Sequence, residues 1–424
     1  MNDKSPDASL HHTSNRSQIF VWALFDFANT AFYVLILTVG YPLFFKEIIN
    51  QGGKDGDFLW GLAFSISMLI VAIISPILGA VADYGAGKKR FLFIFTLLCI
   101  LATSGLFFTA ESTVLLGILL LILANIGFEA GLVFYDSFLP EITTQRSYGR
   151  VSGYGFAMGY IGSLFTLLIA FPFYIKGFVP ENIFNVQISF LIAAGFFFIF
   201  SIPLFLFLKE KNRTASLKLN FVGIGYKRVK STFKEFNKYK NIGKFLLSYF
   251  IYIDAINTII IFSSIFARET LHFEISEIII FFAIVQTSAI IGSILFGILS
   301  DHFGQKRTLS LTLILWLIIV VIAYFVTSKG LFYFVGILAG LALGSSQSTS
   351  RSLMSKITPF EKKTEFFGFY SFFGKASAII GPLLFGFISS LLDQRIAIIS
   401  VGVLMLVGLI LLQRVDEEKA TINV

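Results

Sequence analysis

Twelve runs of apolar residues, each bounded by charges or turn-forming residues, take up most of the chain. They fall at 21–45, 58–82, 91–110, 113–136, 151–175, 187–208, 244–266, 276–300, 308–327, 330–352, 365–392 and 394–412. A helix needs roughly 20 residues to cross a bilayer, so the pattern predicts twelve transmembrane helices. The runs are continuous. Strands of a membrane β-barrel would alternate apolar and polar positions instead. The shortest breaks lie within 91–136 and 365–412.

Lys and Arg are spread unevenly between the two sets of connections. With the N-terminus taken as cytoplasmic, the cytoplasmic segments hold 26 of them and the outer segments 6; Lys375 lies inside a span. This count takes Arg351, at the end of the tenth run, together with the cytoplasmic segment that follows it. Positive charge is retained on the cytoplasmic side, so both termini are expected in the cytoplasm, with the protein in the plasma (inner) membrane. The first twenty residues have no apolar stretch, and no cleaved leader is expected.

Composition sharpens the picture. Of 424 residues, 56% are hydrophobic and 14% charged, against roughly a quarter charged in soluble proteins. With 52 Phe, much of the surface must face lipid. The single cysteine, Cys99, allows no disulfide or Cys metal site. His11, His12, His272 and His302 lack metal-ligand spacing. No nucleotide-binding loop, metal cluster or Ser/His/Asp set stands out, so neither a cofactor, a metal nor an enzyme activity is expected. The net charge of +8 comes mostly from residues 209–244. Between spans 6 and 7, this stretch reads as a basic linker on the side of anionic headgroups rather than as a nucleic-acid site.

Three segments recur. Gly79 to Asp83, followed by Lys88, Lys89 and Arg90, returns as Gly297 to Asp301, followed by Lys306 and Arg307. Asp26, Asn29 and Thr30 return as Asp254, Asn257 and Thr258, and Gly153, Gly159 and Tyr160 return as Gly368, Gly374 and Lys375. The near-equal offsets indicate duplicated halves. The expected organisation is a tail at 1–20, a six-helix bundle at 21–208, a linker at 209–243, a second bundle at 244–412 and a tail at 413–424. Parallel repeats of this kind are one known transporter architecture, with the solute site between the halves.

Gly297, Asp301, Gly304, Lys306 and Arg307 form a loop pattern that resembles the signature of the major facilitator superfamily. The N-terminal copy departs from it: Ala86 stands where the glycine is expected, between Gly85 and Gly87, and Tyr84 replaces the usual Arg. Trp22–Ala31 (WALFDFANTA), Phe134–Pro140 (FYDSFLP), Gln347–Ser352 (QSTSRS) and Glu365–Tyr370 (EFFGFY) with Gly381 and Pro382 resemble the vacuole-effluxer-like branch. The resemblance implies an all-α integral membrane fold of two pseudo-symmetric six-helix bundles. It implies a monomeric secondary transporter that moves a small solute, an amino acid among the candidates, by alternating access with proton coupling. In a fungus the membrane would be vacuolar. A non-transporting receptor or scaffold that keeps the fold is the alternative. In the loops, Gly79, Asp83, Lys88, Lys89, Arg90, Gly297, Asp301, Gly304, Lys306 and Arg307 are expected to gate. Their glycines permit close approach, the aspartates accept from a neighbouring helix start, and the basic clusters sit at headgroups.

A charge at mid-bilayer costs about 2.5–3.5 kcal/mol on insertion scales, so each one needs a reason. Asp26, Glu129, Asp136, Asp254 and Lys375 are the candidate charges within the membrane interior. They lie on spans 1, 4, 7 and 11, which line or flank the central cavity in the resembled architecture. Asp26 with Asn29, Asp254 with Asn257, and Asn125 with Glu129 share helix faces. A structural Asp254–Lys375 or Glu129–Lys375 ion pair and a direct solute or proton role are both open to these charges, and the two are not exclusive. Lys375 is expected to meet a solute carboxylate, with Glu129 or Asp254 taking a proton or a solute ammonium. Asp26 has interfacial, capping and cavity readings. The uncharged cavity candidates are Asn29, Asn125, Tyr160, Asn257, Gln286 and Gln347.

Overall fold

The computed structural model describes residues 15–53, 55–83, 87–210, 221–234, 236–377 and 380–418. Residues 1–14 of the expected tail at 1–20, Tyr84, Gly85 and Ala86, much of the linker (211–220 and 235) and the last residues of the C-terminal tail (419–424) lie outside the described residues.

All twelve apolar runs lie on helices. The first half holds α1 (Arg16–Phe32), α2 (Gly56–Val81), α3 (Lys88–Gly105), α4 (Val114–Ser137), α5 (Tyr148–Tyr174) and α6 (Ile183–Phe207). Linker helix α7 (Phe221–Lys234) follows. The second half holds α8 (Lys240–Glu269), α9 (Ile275–Phe303), α10 (Gln305–Phe325), α11 (Lys329–Ile357), α12 (Lys363–Ser377), α13 (Ile380–Leu391) and α14 (Gln394–Gln413). Eleven helices among the described residues are long and apolar enough to span. The eleventh apolar run holds both α12 and α13, on either side of 378–379.

Caps set the helix ends. The Asn15 side chain accepts from Ser17 N at 3.0 Å and opens α1. Past Phe32 the same span continues to Ile49 through π-helical stretches at Tyr33–Val39 and Phe45–Ile49. Pro42, which has no N–H to return along the helix, lies between them. Asp393 accepts from Arg395 N at 2.6 Å and opens α14. A helix start therefore falls at one of the shortest breaks in the apolar pattern.

Two buried apolar clusters form, one in each half. The first draws its buried members from residues 21–208. The second draws on 239–415, with Val133 as its one buried member from the first half. Pairings within the first half recur in the second. The contact of α1 with α6 returns as α8 with α14, α2 with α4 as α9 with α11, α3 with α4 as α10 with α11, and α3 with α6 as α10 with α14. The halves meet along a seam where α2 lies against α12, α5 against α9 and α11, and α4 against α12.

Candidate functional site

The seam is closed at the end that carries the two loop signatures. Asp301, past the apolar part of α9, accepts from Gly149 N at 2.8 Å and Arg150 N at 3.1 Å, and pairs with Arg150 Nε at 2.7 Å. Asp83, past α2, accepts from Glu365 N at 2.9 Å near the start of α12. Each aspartate thus caps a helix of the opposite half, where unsatisfied N–H groups and the helix dipole favour an anion. Such contact needs bare backbone. A Cβ on Gly297 would stand 2.7 Å from Gly149 O, and one on Gly368 2.7 Å from Pro76 Cα. Gly79 packs against the Thr364 and Glu365 backbone. Burial raises the Asp83 carboxyl above the ordinary range, opposed by the Glu365 N–H and by Lys88.

The turn glycine of the first signature is one residue later than expected. Gly304 has φ 93° and Gly87 has φ 78°, the left-handed region that glycine enters freely. Each precedes a helix whose first amides bind a carboxylate. Glu417 takes Gln305 N at 2.8 Å and Lys306 N at 3.1 Å. Glu210 takes Lys88 N at 2.6 Å and Lys89 N at 3.3 Å. Gly87 therefore does the work assigned to the position of Ala86, with one extra residue between it and Asp83.

The basic clusters are only partly at the surface. Arg90 and Arg307 are exposed. Lys88, expected at headgroups, turns inward instead: its Nζ donates to Ser137 O at 2.9 Å, pairs with Glu141 at 2.7 Å and lies over the Phe138 ring. Lys89 Nζ donates to Leu208 O at 2.6 Å, and Lys306 Nζ to Gln413 O at 2.8 Å. These amines satisfy carbonyls at helix ends, which have no partner inside the helix.

Deeper in the seam stands a charge that the positive-inside count groups with the cytoplasmic segments. Arg351 of α11 crosses into the first half with its side chain 2% exposed. Nη1 lies 3.0 Å from Asp136 Oδ1 and 3.4 Å from Asp26 Oδ2. Nε donates to Ser152 Oγ at 3.0 Å and Nη2 to Ser152 O at 2.8 Å. The guanidinium also lies over Phe156, Trp22 and Tyr135, with centroid distances of 4.0, 4.8 and 5.7 Å. Tyr135 donates to Asp26 at 2.7 Å and stacks on Trp22 at 4.7 Å. Asn29 donates to Asp26 at 3.4 Å. Asp26 is therefore part of an ion cluster between the halves, and its neighbour Asn29 belongs to the same cluster.

Lys375 pairs with Glu129. Nζ lies 2.6 Å from Oε2 across the seam between α12 and α4, with side chains 17% and 8% exposed. On the other flank, Tyr160 donates to Gln347 Oε1 at 2.5 Å between α5 and α11. Asp254 does not face Lys375. Its carboxylate accepts from Gly381 N at 2.9 Å, at the start of α13 in its own half. Asp254 is thus held by a backbone N–H of its own half, and the alternative Asp254–Lys375 pair does not form. Asn125 is fully buried and donates to Ser67 Oγ at 2.6 Å, joining α4 to α2 inside the first half. Asn257 on α8 and Gln286 on α9 are half-buried. Among the described residues no three His, Cys, Asp or Glu side chains group closely enough for a metal.

Comparison with known proteins agrees with this architecture. Residues 60–424 match the model of the family described as "Vacuole effluxer Atg22 like". The chain is 32% identical over 410 residues to the MFS-type transporter YxiO of Bacillus subtilis (strain 168), covering 94% of this chain and 95% of that one. It is 24% identical to autophagy-related protein 22 of Pichia angusta, covering 88% and 86%. The human organic anion transporter MFSD10 (TETRAN) superposes with a TM-score of 0.73 at 13% identity, over 94% of this chain and 99% of that one; this likeness is one of fold. Twin bundles, a doubled loop signature and a match over most of the length lead to one assignment: the chain belongs to the Atg22-like vacuole effluxer family of the major facilitator superfamily, and it is a multi-pass membrane transporter.

Proposed function

We propose that the chain carries a small zwitterionic solute of the amino-acid class by alternating access, with Lys375 and Glu129 as the recognition pair. The observation that carries this reading is the ion pair between α12 and α4, which holds one opposite charge from each half. An amino acid brings the same two charges. Its carboxylate would take Lys375 and its ammonium Glu129, so the solute substitutes for the pair without leaving a bare charge in a dry site. Breaking the direct pair also frees the two halves to part at this level.

Bundles 21–208 and 244–412 are the rocking bodies in this account. The Asp83 and Asp301 caps and the Arg351 cluster form the gate at one end. With both termini cytoplasmic, that gate is the cytoplasmic one, and it is closed in the arrangement described. Asp26, Asp136 and Glu129 outnumber Arg351 and Lys375 by one. That excess carboxylate supports coupling to a proton. Tyr160, Gln347, Asn257 and Gln286 are assigned to the polar walls, and Asn125 and Asp254 to positioning of their helices.

The test is flux of amino acids into proteoliposomes with and without an imposed pH gradient, for the wild type, Lys375→Ala and Glu129→Gln. Wild-type flux that responds to the gradient and disappears in both variants is expected. If both variants keep wild-type flux and pH response, the site is wrongly assigned. A wild-type chain that binds solutes but moves none would be a receptor or scaffold.

A further inference from the structure

Linker helix α7 lies across the Asp83 side of the seam. It packs along α2 of the first half, while Val229 packs against the apolar cluster of the second half. Thr232, 5% exposed, donates to Glu365 Oε1 at 2.5 Å and accepts from Lys362 Nζ at 2.7 Å. Glu365 is the residue whose amide is held by Asp83. The helix is therefore fastened to both sides of the contact that must part when this end opens.

Its two faces differ. Val229 and Thr232 are three apart and point inward. Lys227, Lys230 and Lys234 recur at three- and four-residue spacing, and all three are exposed. This end also carries the exposed Arg90 and Arg307, and it lies at the level where spans end and headgroups begin.

We infer that α7 is a strap over the Asp83 contact and that its lysine face binds anionic phospholipid headgroups, so that the surface charge of the membrane biases this end toward closure. The inference rests on the alternating-access reading for its conformational part. A ligand shifts an equilibrium only through unequal affinity for the two states. A helix of fourteen residues is marginal on its own in water. Docked, α7 holds three lysines on one face; detached, it loses the packing that keeps them aligned. Headgroups therefore bind the strapped state better and favour it. An amine near an anionic surface gains about 1 kcal/mol, so even one differential contact shifts the closed-to-open ratio roughly fivefold.

The experiment is double electron–electron resonance on a Cys99→Ser chain with spin labels at Gln145→Cys and Lys244→Cys. The sample is reconstituted in phosphatidylcholine vesicles with and without phosphatidylglycerol. Phosphatidylglycerol is expected to raise the short-distance population. The combined Lys227→Gln, Lys230→Gln and Lys234→Gln variant should lose that response and keep the phosphatidylcholine ratio. Thr232→Val should lower the short-distance population in both lipids. Equal populations in the two lipids, or a lipid response that persists without the three lysines, overturn the inference. A single fixed distance in every sample would overturn alternating access instead. In that case amide exchange of residues 221–234 decides the lipid contact: phosphatidylglycerol must slow it in the wild type and not in the triple lysine variant.

Discussion

The two flanks of the central seam are copies of one design with different chemistry. Lys375 and Tyr160 occupy matching positions of the repeat, each after a glycine on the fifth helix of its half. Each reaches across to the fourth helix of the other half: Tyr160 to Gln347 on α11, Lys375 to Glu129 on α4. One bridge is neutral and the other ionic. If the fold asked only for a polar link at this level, the neutral version would serve on both sides and avoid the desolvation of two charges. On the proposed reading, the ionic flank recognises a charged solute and the neutral flank shows what the scaffold alone requires.

Variants that make the flanks alike test this most strongly. Replacing the ionic bridge by the neutral one, with Lys375→Tyr and Glu129→Gln together, should leave a folded, monodisperse protein and reduce solute flux by a factor of about 100 or more, the scale of losing a charge-assisted contact at each solute group. Proteoliposome uptake alongside size-exclusion behaviour checks it. A folded variant that still transports at wild-type rate would break the comparison.

The next largest effect concerns the Arg351 cluster. Arg351→Leu leaves Asp26 and Asp136 buried without their counter-charge, a loss of about 3–5 kcal/mol where one member of a buried pair is removed. A thermal-shift assay in detergent should show lower stability, and cysteine accessibility at Ser152→Cys should rise. Arg351→Lys should recover only part of the effect, because an ammonium cannot span Ser152 and two carboxylates as the planar guanidinium does. On the neutral flank, Tyr160→Phe removes a single hydrogen bond between neutral groups and should cost about 1 kcal/mol, with most of the flux retained.

The smallest predicted effect separates the two loop aspartates, Asp83 and Asp301. Asp301 has a cationic partner in Arg150, whereas burial raises the Asp83 carboxyl. A raised acid binds its proton more tightly folded than unfolded. Its favourable contribution is present below the ordinary carboxyl range and is lost as pH rises through the raised value. Asp83→Asn should therefore gain stability relative to the wild type as pH rises through that window. Asp301→Asn should lose stability at neutral pH by weakening the Arg150 pair. Melting temperature against pH for the two variants reads both signs.

Most of the frame was legible in the sequence. Twelve apolar runs became helices, and the doubled Gly–Asp signature became two reciprocal caps, because hydropathy and helix-end chemistry act locally. Arg351 was hidden for a physical reason. A long basic side chain at the end of a span commonly snorkels to headgroups, so it counts with the loop. The signal against that reading is the serine-rich stretch Ser345–Ser352, whose small side chains let α11 approach α5 closely and leave the guanidinium room to cross. Lys88 misled in the same way, since a basic cluster carries no mark of which member turns inward. Asp254 counts as a cavity charge in the sequence because nothing in the apolar run at 365–392 marks the Gly381 N–H that meets it within its own half.

The central claim is that Lys375 and Glu129 read the two ends of one zwitterion. Competition against uptake of a transported amino acid tests it most directly, using the same amino acid N-acetylated and, separately, as its methyl ester. The account predicts that the free amino acid competes while each blocked form fails, because each leaves one buried charge unmatched. Equal competition by all three forms would contradict it.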